Sequence, residues 1–145
     1  MGNVIGARIP GWFRLASLLG LLWNAFGVYM YLSKIGMFGD PLAGLDSAHR
    51  TLAESVPAWV TGAFAIAVFA GLLGSLCMVA GKRLASPLLL LSLLAVIVQC
   101  GWIMLISNAR AVEGMMALVM PATIVLVAVL LVWLAAKGAA RGWLD

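Results

Sequence analysis

Four stretches of this chain run without a single charged residue for about the length of a bilayer crossing. Between Arg14 and Lys34 lie 19 such residues, between Glu54 and Lys82 27, between Arg83 and Arg110 26, and between Glu113 and Lys137 23. A membrane-spanning helix needs about 20 apolar residues at 1.5 Å of rise each. A soluble bundle would need polar residues on one face at a 3.6-residue period, and the four stretches have none. The reading is an all-α polytopic membrane protein, a four-transmembrane-helix bundle. Its spans are expected at about 15–33, 57–80, 84–107 and 115–136, with an outer loop at 34–56.

Composition agrees: of 145 residues, 65% are hydrophobic and 10% charged. So little chain lies outside the spans that a folded extramembrane domain, a nucleotide-binding loop and a nucleic-acid platform are excluded. The partner implied is the lipid bilayer, with no nucleic acid, and the pI near 9.6 reflects membrane topology. The first span is read as a retained helix, because its apolar region is longer than a signal sequence uses, contains Asn24 and precedes no small-x-small cleavage site.

Orientation follows from Lys and Arg, which disfavour translocation when close to a span. Arg8, Arg14, Lys82, Arg83, Lys137 and Arg141 fall on one side, and Lys34, Arg50 and Arg110 on the other. Six against three predicts cytoplasmic N- and C-termini. The long outer loop, punctuated by Gly36, Gly39, Pro41, Gly44 and Asp46, reads as irregular chain or a short surface helix.

Several chemistries lack their residues. Cys77 and Cys100 are expected at different depths, too far apart for a disulfide, and no Cys-x-x-Cys is present. The single histidine, His49, is in the loop, so a bis-histidine haem within the bundle has no ligands; no cofactor and no metal is expected. No Asp, Glu, Lys, Arg or His lies in the hydrocarbon part of a span, which disfavours the glutamate-driven exchange of small multidrug antiporters. No nucleophile–base pair or phosphate loop accompanies Glu54, Arg110 and Glu113, and no catalytic residue is assigned.

The polarity within the spans is patterned. Gly20, Asn24, Gly27 and Tyr31 share one face of the first helix, and Ser92, Ala95, Gln99 and Trp102 share one face of the third. An amide cannot face lipid without a partner. Asn24 and Gln99 are therefore expected to point inward, either bridging helices or lining a polar pocket with Tyr31 and Trp102, rimmed by Glu54, Arg110 and Glu113. Ala63, Ala67, Gly71 and Ser75 form a small-residue ridge on the second helix, with Ala70 and Gly74 beside it; the ridge is expected to pack within the chain, a homodimer contact being the alternative. Trp12, Trp59, Trp133 and Trp143 read as interfacial anchors, and Trp23 and Trp102 as deeper residues.

Arg14-Leu-Ala-Ser at the start of the first span recurs as Arg83-Leu-Ala-Ser at the start of the third. Gly27-x-x-Met30-x-x-Ser33 recurs as Gly101-x-x-Met104-x-x-Ser107. Two duplicated helix hairpins would give these echoes, as would chance in so apolar a composition.

Trp23-Asn24-Ala-Phe-Gly27, the Pro57-Ala58-Trp59 entry to the second helix, Pro121 in the fourth and the Lys137-to-Trp143 segment resemble small, uncharacterised bacterial four-helix integral membrane proteins, some of which carry the automatic label "sugar transporter". The resemblance implies location in a bacterial inner (cytoplasmic) membrane and a sugar-like solute, and supplies no binding residues. The expected function is non-enzymatic, a carrier or binder of a small polar solute working as a homo-oligomer. The alternative is an accessory or scaffold subunit of a larger inner-membrane complex, which needs only packing surfaces.

Overall fold

A computed structural model describes residues 9–144. It contains α1 (Gly11–Lys34), α2 (Ser47–Glu54), α3 (Ala58–Val79), α4 (Ala85–Leu105), α5 (Ala109–Glu113) and α6 (Met116–Ala140). The described residues form helices, turns and loops, without strands. Helices α1, α3, α4 and α6 are each long and apolar enough to cross a membrane, so the protein is a membrane-embedded four-helix bundle.

Two spans differ from the charge-bounded expectation. Helix α1 begins at Gly11, before Arg14, and α6 runs on through Lys137 to Ala140. Long basic side chains reach the interface from within a helix, so a charge need not end one. Short helices interrupt both connections at the opposite end. Helix α2 lies in the expected outer loop; α5 is a single turn that went unforeseen.

Glycine ends three of the spans in the same way. At Gly81, φ is +75°, its N–H donates to the Met78 carbonyl at 3.1 Å, and the Lys82 N–H reaches back to Cys77 at 2.7 Å. This is the Schellman arrangement, which needs a left-handed residue after the helix. Gly36 closes α1 and Gly142 closes α6 with the same pair of bonds. Behind Gly142 the chain folds back, and Leu144 is buried in a cluster with Phe13, Met78 and Leu134.

That cluster joins the two ends of the chain. Gly81 lies 3.7 Å, measured from a Cβ built on it, from the Trp143 carbonyl, and Trp12 and Trp143 meet edge to face at 5.6 Å. The start of α1, the α3–α4 turn and the end of α6 therefore share one end of the bundle. Arg14, Lys82, Arg83, Lys137 and Arg141 are all at or next to it, and we call it the basic end; Arg8 lies outside the described residues. Arg83 donates to the Ala139 carbonyl at 3.4 Å, placing a cation on the negative end of α6. Trp143 is half-buried against Phe13, so it belongs to this packing and is not a simple lipid anchor.

Helix α1 packs on α3, α3 on α4 and α4 on α6, while α1 and α6 make only a narrow contact. Small residues decide this. A Cβ on Gly74 of α3 would lie 2.7 Å from Leu89 Cγ and 3.1 Å from the Leu89 backbone nitrogen, so α3 and α4 approach backbone to backbone. Where α1 and α6 do meet, a large side chain sits over a glycine, Leu131 over Gly20 and Phe13 over Gly138. Both halves run long helix, short helix, long helix, as a duplicated hairpin would. Their interfaces are unequal: the α3–α4 contact is close, and its counterpart between α6 and α1 is largely open.

At the loop end, Asp46 caps α2, accepting from the His49 N–H at 2.8 Å and meeting His49 Nδ1 at 2.9 Å. The bond from the His49 backbone, then that from its side chain, holds the Asp46 carboxyl below its ordinary value. A depressed pKa means that the cap is fully present above the ordinary carboxylate pKa of about 3.9 and is lost as pH falls through the folded value. Amide exchange at His49 is expected to accelerate, beyond the intrinsic rate change, only as pH falls below about 3.9. Unchanged protection would show that the cap does not hold α2.

Candidate functional site: a cavity between the spans

The amide of Asn24 is committed within the fold. Asn24 is 8% exposed, and its Nδ2 donates to the Gly20 carbonyl at 2.9 Å and to Ser75 Oγ at 3.0 Å. It therefore ties α1 to α3, the helix-bridging role open to it in the sequence. The bond is possible because the small-residue ridge brings the helices together. A Cβ on Gly71 would overlap Asn24 Oδ1 and lie 2.8 Å from its Cγ and 3.0 Å from Ser92 Oγ. The ridge thus packs within the chain and faces two ways. Gly71 and Ser75 receive α1, while Gly74 and Ala67 receive α4, whose Ser92 Oγ donates to the Ala67 carbonyl at 2.6 Å.

Gln99 differs. It is half-buried on α4, and its amide makes no hydrogen bond among the described residues. It lines a cavity of about 230 Å³ that Asn24 and Ser92 also border. The other walls are apolar: Trp23, Phe26 and Met30 from α1, and Met120, Ile124 and Val127 from α6 are among them. This space is the unfilled part of the α1–α6 seam. Phe26, Met30 and Met120 are each about half exposed, so the walls nearest the seam also face the surrounding lipid.

The structure brings Asn24 and Gln99 to one cavity and places the remaining expected residues elsewhere. Tyr31 does not line the cavity: it stands edge-on to Phe64, which does, at 5.6 Å and to Phe69 at 5.8 Å. Trp102 is buried and also does not border the cavity. Glu54, Arg110 and Glu113 are exposed on the loop-end helices α2 and α5, which touch each other. None of these three makes an ion pair among the described residues. Cys77 and Cys100 are free thiols, and no group of three or more His, Cys, Asp or Glu among the described residues could hold a metal ion.

Sequence reasoning did not find the partner of Asn24. Ser75 and Gly71 carried a signal as small residues at a four-residue spacing, but that pattern marks close approach without naming the helix that approaches. Trp23 stands at the cavity wall, one residue before Asn24, a role left open by its depth. Compared with known proteins, the chain matches no family model, no curated protein and no solved structure.

Proposed function

We propose that this chain is a non-enzymatic protein of the bacterial inner membrane that binds a small ligand in the cavity between α1 and α6. The observation that carries this reading is the Gln99 amide, half-buried at a cavity wall with no hydrogen bond to the described residues. An amide in hydrocarbon costs several kcal/mol unless something pairs with it. A ligand or water in the cavity supplies that partner.

The lining bears on the ligand's chemistry. A sugar-like solute, which the resemblance implies, presents a hydroxyl on nearly every carbon. Against it stand Gln99 and Asn24 Oδ1 as uncommitted polar groups, because the Asn24 NH₂ and the Ser92 hydroxyl already donate within the fold. The walls fit a mostly apolar molecule with one hydrogen-bonding group, and the lipid-facing seam offers such a molecule a lateral path. The gathering of basic residues supports a cytoplasmic basic end by the positive-inside rule.

The test is a thermal-shift screen of the detergent-purified protein against membrane-soluble quinones, isoprenoid alcohols, sugars and polyols, repeated on Gln99→Leu. The expected result is a probe that raises the midpoint of the wild type and not of the variant. Without a probe, Gln99→Leu is expected to be as stable as the wild type or more so, since it removes an unpaired amide. No stabilising probe, together with co-purification of a larger membrane complex that survives Gln99→Leu, would replace this reading by an accessory subunit.

A further inference from the structure

A second cavity, about 420 Å³, lies along the α1–α6 seam toward the basic end. Its α1 wall is Trp12, Ala16, Leu19 and Trp23. Spacings of four, three and four residues put them on one helix face. Leu130 and Trp133 line the α6 side; no wall residue carries a charge or an amide. Trp12, Leu19, Leu130 and Trp133 are each about half exposed, so the cavity is a groove open to the bilayer. From Trp12 to Trp23 is eleven residues, roughly 16 Å of helical rise. The hydrocarbon core is about 30 Å thick, so the groove is as deep as one leaflet.

A cation stands at its mouth. Lys137 Nζ lies 5.2 Å from the Trp12 ring centroid and 4.9 Å from that of Trp133, held between the two aromatic residues that begin the groove walls. Lys137 follows Trp133 by four residues, and Arg141 follows Lys137 by four, so the line of the α6 wall continues into positive charge. An ammonium has three donors in different directions, and contact with ring faces leaves donors for an anion. The aromatic pair fixes it in advance, which lowers the entropic cost of binding.

From apolar walls one leaflet deep that end at a pre-ordered cation, we infer that the groove is a site for an anionic phospholipid of the leaflet at the basic end, with an acyl chain between α1 and α6 and its phosphate on Lys137. Charge complementarity selects this occupant over a zwitterionic lipid, since one basic side chain near the headgroups favours an anionic lipid by about fivefold. The groove adjoins the Gln99 cavity, sharing Trp23, Val127 and Leu131 as walls, but the assignment rests on Lys137 and the groove's own apolar walls and not on the Gln99 amide.

Native mass spectrometry of the full chain in a non-ionic detergent tests the assignment, with palmitoyl-oleoyl phosphatidylglycerol or phosphatidylcholine added at equal concentration. The wild type is expected to retain phosphatidylglycerol about fivefold better. Lys137→Gln should bring it to the phosphatidylcholine level, and Lys137→Arg and the loop-end control Arg50→Gln should keep the preference. Leu19→Trp, which fills the groove without changing charge, should lower retention of phosphatidylglycerol, and it stands in if Lys137→Gln fails to fold. A preference that survives both Lys137→Gln and Leu19→Trp, one lost equally in Arg50→Gln, or a lipid-free dimer that excludes both lipids would overturn the proposal.

Discussion

Replacing Gly71 by alanine is expected to destabilise the bundle by about 1 to 3 kcal/mol, although alanine is the better helix former by about 1 kcal/mol. The new methyl would occupy the position of Asn24 Oδ1 and crowd Ser92 Oγ. Overpacking of this kind costs about 1 to 3 kcal/mol, and displacing the amide also breaks its bond to Ser75, a further 0.6 to 1.7 kcal/mol or so for an interhelical hydrogen bond in a membrane protein. The two losses exceed the propensity gain. Gly62→Ala is the control, because a Cβ there meets nothing within 4 Å and should cost nothing. Asn24→Ala should soften the Gly71→Ala loss when the two are combined. Equal stability of Gly71→Ala and Gly62→Ala in detergent unfolding would refute the close α1–α3 approach.

Phe13→Ala is expected to cost about 3 kcal/mol. The ring is fully buried, sits over Gly138 and packs 5.1 Å from the Trp143 ring. Its loss opens a void where α1, α6 and the returning tail converge, so the tail around Trp143 and Leu144 should also become susceptible to proteolysis. Phe26→Ala, which truncates a ring 58% exposed toward lipid, should cost little by comparison. If both variants unfold at the wild-type midpoint, the junction at the basic end contributes nothing to stability.

The four spans were legible because charge is so costly in hydrocarbon that its absence marks them. Their ends were less so, since Arg14 and Lys137 lie within helices and Lys137 finds Trp12 and Trp133. The common cavity of Asn24 and Gln99 could be anticipated from the need of both amides to avoid lipid. Neighbours in the bundle could not, because helices apolar on every side carry no periodic sign of which face meets which. Tyr31 shows the cost: it shares a helix face with Asn24, yet at its depth the space is taken by Phe64 and Phe69. The α1–α6 opening was likewise invisible, because Ala16, Gly20, Gly27 and Ala128 lie along that seam too, so small residues did not mark which pair of helices closes.

The bond between Asn24 and Ser75 also bears on how the protein is made. The two residues are 51 apart in the chain. At synthesis rates of about 5 to 20 residues per second, α1 waits roughly 3 to 10 s for its partner. During that interval its amide has only the Gly20 carbonyl of its own helix to bond to, and entry into pure hydrocarbon would leave its second donor and its oxygen without a partner. Helix α1 therefore loses least by entering lipid together with α3. Gly71 and Ser75 then arrive together, so a close fit and a polar partner are offered at once. The α1–α3 pair is the first interface that the growing chain can complete, and α4 and α6 are laid down against it.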